Sequence, residues 1–220
     1  MVEGMMIHVA DSLGKKIWKK PFPVFTHEEA MKKFGADKFD MRSEEEKKDP
    51  DILAFAWVVD FPVFEWDENE KRFTFAHNPF SAPKAEHVEK VMKGEDLANL
   101  RAQQYDLVCN GYEMASGGVR ISDPKVQRKV FELMGLTPEE SEERFGHLVR
   151  AYEYGAPPHA GIAPGLDRLM MILTGEPNIR EVIAFPVDSS GHTSVMDAPS
   201  VVSEKQLREA HIKLDLPKDK

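Results

Sequence analysis

The sequence predicts an α+β fold, an antiparallel sheet flanked by helices, and three observations predict it. Apolar strand-like runs fall in one central block, between residues 52 and 122. Helix-start signals lie outside that block, at Thr26 before it and at Asp123, Thr137 and Ser203 after it. The strands follow one another instead of alternating with helices, which argues against a wound parallel sheet.

Composition bounds the reading. At 220 residues and 41% hydrophobic content, the chain is long enough for one sizeable core, or one domain with a small appendage. Its single cysteine, Cys109, lies in the apolar run Leu107-Val108-Cys109. It cannot form an internal disulfide, which fits a reducing compartment and a structural thiol, and nothing asks for zinc. The longest apolar stretch, residues 52–59, is followed by Asp60 and is too short to span a bilayer, and the N-terminus lacks the flank of a signal peptide. The expectation is a cytoplasmic chain with no membrane partner. A formal charge of -9 disfavours broad attraction to a polyanion. The cluster Lys15, Lys16, Lys19 and Lys20 reads as a solvated face.

Element by element, residues 1–42 read as a helix, a turn at Pro21 and Pro23, and a second helix opened by the capping box Thr26-His27-Glu28-Glu29. Residues 43–50, SEEEKKDP, form a charged connection, and residues 51–216 a second, larger portion. Residues 52–65 suit a strand buried on both faces, turning at 67–71 into a returning strand at 72–77. Two further strands are expected at 105–114 and 117–122, joined through Ala115, Ser116 and the Gly117-Gly118 pair. Asp123-Pro124 caps a helix ending at Gly135, Thr137-Pro138-Glu139-Glu140 opens another, and a final helix starts at Ser203. The tail at 217–220 should fray, and there is no internal repeat.

Three groups of residues could carry chemistry. Gly161 and Gly165 lead into an apolar helix that Gly175 stops. A helix apolar nearly all round is buried, so Arg168 in its first turn needs an anion, either an internal carboxylate or a phosphate that the glycines let approach. Asp106 and Glu113 sit on a strand pair that also carries Arg120. Paired carboxylates suit Mg²⁺, and the Arg120 fork suits a substrate carboxylate; a cross-strand ion pair between Glu113 and Arg120 explains these residues equally well. His77 ends a strand before the turn Asn78-Pro79, and by itself it reads as an edge or core histidine, as does His159. Ser189, Ser190 and His192 lie together without an oxyanion pattern or a placed acid.

Taken in order, WVVDFPVFEW, FAHNPFSAP, YDLVCNGYEMASGGVRIS, FGHLVRAYEYGAPPHAGIAPGLDRLMMILTG, NIREVIAFP and MDAPS resemble the C-terminal part of the catalytic domain of bacterial-type aspartyl-tRNA synthetases, with VEGMMIHVADSLG and PFPVFTHEEAMKKFGADKFDMR extending the match. The resemblance implies an incomplete class II synthetase fold and activation of L-aspartate by ATP with Mg²⁺, followed by transfer to tRNA. It implies that Arg168 grips the terminal phosphate of ATP, with Gly165, Leu166 and Asp167 shaping the nucleotide wall. Asp106 and Glu113 would hold Mg²⁺ and ATP, Arg120 the side-chain carboxylate of aspartate, and His77 would sit over the amino-acid pocket.

Departures from the family pattern are as informative. The 220 residues hold no counterpart of the family's anticodon-binding domain, its first motif, or its second motif with the α-phosphate arginine. The charged connection at 43–50 stands where bacterial members carry a large inserted domain. Asn78 replaces a second histidine, and Val187 a lysine. Activity is therefore expected to need a complementary N-terminal fragment. The alternatives are a non-catalytic ATP- or aspartate-binding paralogue, or one that amidates aspartate as an asparagine synthetase does.

Overall fold

The computed structural model describes residues 1–193 and 195–215, in two units, Met1–Gly175 and Glu176–Lys220. The expected fraying at 217–220 lies outside the described residues. The first unit opens with helix α1 (Val2–Ser12), strands β1 (Lys16–Ile17) and β2 (Val24–Thr26), and helix α2 (His27–Phe34). Strands β3 (Ile52–Leu53), β4 (Phe55–Val59), β5 (Phe64–Asp67) and β6 (Arg72–Phe75) precede helix α3 (Val88–Lys93). Then come β7 (Gln104–Cys109), β8 (Tyr112–Val119), α4 (Pro124–Leu133), α5 (Pro138–Glu153), β9 (Ala160–Pro164) and α6 (Leu166–Thr174).

The five-stranded sheet runs β2-β4-β7-β8-β9. All its pairs are antiparallel except β2 with β4, which is parallel. The sheet is thus mixed, because α2 and the segment after it give the chain the crossover that parallel neighbours need. Both expected capping boxes are formed, Thr26 with Glu29 and Thr137 with Glu140, so the helix starts were written locally.

Two strand assignments differ from expectation. Residues 52–65 do not form one strand: β4 joins the main sheet, while β5 and β6 pair by themselves as a separate hairpin. Asp60, with φ of 61°, interrupts the run between them. The β7–β8 turn is Asn110-Gly111 and not the glycine pair, since Asn110 and Gly111 hold φ of 51° and 88°, the two left-handed positions of a tight hairpin. Gly117 lies within β8, where a Cβ would come 2.2 Å from the Gly161 carbonyl and 2.7 Å from the Tyr105 ring. Glycine is needed there for close strand packing, not for turning.

Two apolar clusters can be followed among the described residues of the first unit. Val63, Phe64, Leu100, Val130, Phe131 and Val149 form one, in which the Phe131 and Phe145 rings stack at 4.6 Å. Ala30, Phe39, Ala56, Val58, Phe61 and Val108 form the other, beneath α2. Each fully buried phenylalanine contributes about 1.5–3 kcal/mol. Cys109 is buried and free, and burial pushes its thiol far up, as suits a structural residue.

In the second unit, Asp188 Oδ1 accepts from Ser190 N, Ser190 Oγ and His192 N, at 2.8, 2.6 and 2.9 Å. The serine and histidine there are thus used in shaping a turn. Helix α7 (Glu204–Glu209) starts at the Ser203 cap. Among the described residues no helix is long and apolar enough to cross a membrane.

Asn110 also ties its turn to β3 and to the residue between β3 and β4: its Oδ1 accepts from Ala54 N at 2.9 Å and its Nδ2 donates to Ile52 O at 3.0 Å. Asn110→Ala is expected to cost about 2–3 kcal/mol in urea unfolding, from two lost bonds and a left-handed residue that alanine tolerates poorly. Gly117→Ala should cost more, because the clashing atom is backbone.

Candidate functional site

Paired residues in an antiparallel ladder point to the same sheet face, and residues two apart along a strand share a face. Asp106 pairs with Ser116, Leu107 with Ala115 and Val108 with Glu113, so the register slips by one residue between Leu107 and Val108. Met114 is the extra residue. Without that bulge Glu113 and Ser116 would face opposite ways; with it, Asp106, Glu113 and Ser116 share one face. Bulges re-aim side chains in this manner, and here the result is a pair of neighbouring carboxylates.

Their surroundings differ. Asp106 is 1% exposed, and its Oδ1 is buried with no hydrogen-bond partner. Its other oxygen lies 3.9 Å from His77 Nε2, an ion-pair distance rather than a hydrogen bond. Burial pushes the Asp106 carboxyl up from its usual range, and the Glu113 charge adds to this, while Ser116 works in the opposite direction. Glu113 is held between two cations, with Lys38 Nζ 3.2 Å from Oε2 and Arg168 Nη1 3.4 Å from Oε1.

Arg168 stands in the first turn of α6, and its Nη1 also donates to the Glu113 carbonyl at 2.9 Å. Gly165 N donates to Met114 O at 2.8 Å, fixing the helix start against the bulge. The helix is not buried all round as expected. Met171 and Ile172 are buried, whereas Leu166 is 68% exposed and Met170 42%, and Asp167 and Arg168 are exposed with them. One side of α6 suffices to seat it, so Arg168 keeps access to solvent. A Cβ on Gly161 would meet nothing, and one on Gly165 would meet Met114 O at an ordinary 3.7 Å. Packing within the chain therefore does not dictate glycine at either position.

His77 follows β6, its ring 4.7 Å from that of Phe61, which also touches His27 at 5.1 Å. Arg120 lies just past the far end of β8 and does not pair with Glu113. Its Nη1 donates to Asn78 Oδ1 at 3.3 Å, and its guanidinium lies over the Phe80 ring at 5.8 Å. Asn78 Oδ1 also accepts from Phe80 N and Ser81 N, both at 3.0 Å, so Asn78 holds the turn that carries Arg120's partners. The cross-strand pairing of Glu113 and Arg120 is excluded because both belong to one strand and its extension. One cluster thus contains Asp106, Glu113, His77 and Arg168, and Arg120 stands apart at the other end of β8.

Sequence reasoning missed Lys38. It lies in the loop after α2, and only tertiary packing brings it to Glu113. A hollow of about 680 Å³ lined by Trp57, Tyr105 and Gly161 lies on the opposite sheet face. Among the described residues no group of three or more His, Cys, Asp or Glu side chains could hold a metal ion. A cation bound here would need ligands from water or substrate besides Asp106 and Glu113.

Because its carboxyl is raised in the fold, native Asp106 binds its proton more tightly than the unfolded chain does. Its effect on stability is therefore favourable at low pH and is lost as pH rises through the folded value. Asp106→Asn is expected to raise the melting temperature at neutral and alkaline pH, with the gain fading on acidification. A lower melting temperature at neutral pH would contradict the assigned cost.

The family model for class II tRNA synthetases (D, K and N) matches residues 1–189. The chain is 52% identical over 171 residues to an aspartate–tRNA(Asp/Asn) ligase of Chlorobium luteolum, covering 78% of this chain and 28% of that protein. It is 54% identical over 169 residues to the ligase of the same name from Rubrobacter xylanophilus, covering 77% and 28%. It thus spans little more than a quarter of the length of these relatives. The fold is similar to that of an Entamoeba histolytica aspartyl-tRNA synthetase, with a TM-score of 0.58 at 21% identity, covering 86% of this chain and 39% of that one. The sheet with its flanking helices and the match along most of the chain agree: this protein belongs to the class II tRNA synthetases of the D, K and N group.

Proposed function

We propose that this chain forms the nucleotide and amino-acid wall of an aspartate–tRNA ligase, which joins L-aspartate to ATP and passes it to tRNA. One observation carries the reading: a buried carboxylate with an unpartnered oxygen, Asp106, beside a second carboxylate that two cations clamp. A folded chain gains nothing from that arrangement alone, because an unpaired buried charge is costly. It is explained if a ligand completes it.

Mg²⁺ and ATP suit these residues. Asp106 and Glu113 would supply the one or two carboxylate oxygens that Mg²⁺ takes alongside water and phosphate. When bound, the ion neutralises charge on the phosphate oxygens. Arg168, half-exposed and fixed against the Glu113 carbonyl, would bind a phosphate, with Gly165, Leu166 and Asp167 as the adjoining wall. The space beyond Gly161 and Gly165 permits backbone to approach a ligand. Arg120 would receive the aspartate side-chain carboxylate on its planar fork, with His77 over the amino acid between the two ends. Strand rise puts the Cα atoms of Glu113 and Arg120 roughly 20 Å apart, which suits an extended amino acid and phosphate chain laid along β8.

The protein's part in such a reaction is to orient the aspartate carboxylate and to meet charge with fixed donors. A donor for the α-phosphate is not among the residues assigned here, and full activity is expected to require a segment bearing the family's first two motifs. With a formal charge of -9, these residues would contribute little to overall tRNA affinity.

Calorimetry of the full chain with Mg·ATP tests the reading. Binding should weaken by about 10- to 100-fold in Arg168→Ala, the loss expected of a charge-assisted contact. Aspartate-dependent pyrophosphate exchange should be very low for the chain alone and recover when a polypeptide carrying the first two motifs of a relative is added. No binding of Mg·ATP, or binding that Arg168→Ala leaves intact, would overturn it.

A further inference from the structure

We propose that Lys38 is a phosphate-binding residue of this same site, held in reserve on Glu113 and released to the nucleotide when a divalent cation takes that carboxylate. The inference rests on the nucleotide reading above and adds a residue to it.

Lys38 and Arg168 meet the two oxygens of Glu113 separately, at 3.2 and 3.4 Å. Their attachments are unequal. Arg168 has a second hold on the Glu113 backbone carbonyl at 2.9 Å, so it stays in place whatever happens to the carboxylate. Lys38 is joined to the site through the carboxylate, and its side chain is 45% exposed. An ammonium on a flexible four-carbon stem can turn to a new anion without moving the backbone.

The backbone beneath it is firmly fixed. Phe39 is 5% exposed, stacks on Phe34 at 4.0 Å and meets the Phe25 ring edge-on at 5.4 Å. Gly111 N donates to Phe39 O at 3.0 Å, tying the loop to the β7–β8 turn. Asp40 is paired with Arg42 at 2.9 Å, and Arg42 donates to Ile52 O at 3.3 Å. The fold thus anchors the residues around Lys38, while its tip is held through the Glu113 carboxylate.

Charge gives the same direction. Asp106 and Glu113 carry two negative charges when ionised, and Lys38 and Arg168 two positive ones, so the cluster is balanced without ligand. Adding one divalent cation leaves two positive charges in excess. An oligophosphate is the ligand that such an excess fits, and of the two cations on Glu113, Lys38 is the one joined through the carboxylate while Arg168 also bonds the backbone. If Lys38 served only as a surface ion pair it would contribute little, and its removal would not change affinity for a nucleotide.

The full chain and its Lys38→Met and Lys38→Arg variants test this by calorimetry, with Mn²⁺ alone and with Mg·ATP. Lys38→Met should bind Mn²⁺ several-fold more tightly, having lost a competitor for Glu113, and Mg·ATP about tenfold more weakly, having lost a charged phosphate contact. Lys38→Arg should keep most of the Mg·ATP affinity. A structural defect would weaken both ligands together, and that result, or unchanged Mg·ATP affinity in Lys38→Met, would overturn the proposal. Arg168→Ala run in parallel separates the two readings. If it loses Mg·ATP while Lys38→Met does not, Lys38 has no such role and the nucleotide site stands; if the unaltered chain binds no Mg·ATP, both fall.

Discussion

A one-residue slip in the ladder between β7 and β8 sets the geometry on which the candidate site depends. It turns Glu113 onto the face of Asp106 and leaves Met114 O to receive Gly165 N. The same irregularity therefore gathers the carboxylates and seats the start of α6, and through that helix it aims Arg168. The Asn110-Gly111 turn closes the hairpin and, through Gly111 N, also holds Phe39 beside Lys38. One hairpin thus coordinates the positions of three charged groups contributed by separated stretches of chain.

The electrostatics follow from where that hairpin sits. Its neighbours Val58, Phe61 and Val108 belong to a buried cluster, so Asp106 is desolvated by the packing that stabilises the sheet. Burial makes its ionised form costly, and the nearby Glu113 charge makes it more so. Lys38 and Arg168 offset the second carboxylate but leave Asp106 Oδ1 unmatched. A cost retained in the middle of a well-packed sheet is the pattern expected where stability has been traded for binding. A second cluster, built on Phe131, Phe145 and their neighbours, lies among α3, α4 and α5 and supports the turn at Asn78 through Phe80. That turn in turn holds Arg120 at the opposite end of β8.

Local features were legible because their causes are local. The capping boxes at Thr26 and Thr137, the Asp123-Pro124 start and the Gly175 stop each involve residues a few positions apart. The central strands β4 to β8 were legible from apolar runs, though not their limits, and β1, β2 and β9, with no such run, were not read as strands. The Gly117-Gly118 pair looked like a turn because glycine permits one, while its reason for being glycine lies in Gly161 and Tyr105, remote in sequence. Likewise the apolar composition of α6 suggested full burial, and only its packing left Leu166 and Met170 exposed and Arg168 accessible.

By itself, the sequence determined the α+β class, the starts of the capped helices, a set of candidate residues for chemistry and the family to which their order belongs. It named Asp106, Glu113, His77, Arg120 and Arg168 but could not say which of them meet. Tertiary structure alone decided that Glu113 faces Asp106 and not Arg120, that Arg168 is anchored on a strand carbonyl, and that Lys38 joins the cluster. The physical reason is that side-chain direction in a sheet reverses with every residue. A single bulge, which leaves no mark in composition or spacing, therefore decides which charges share a face.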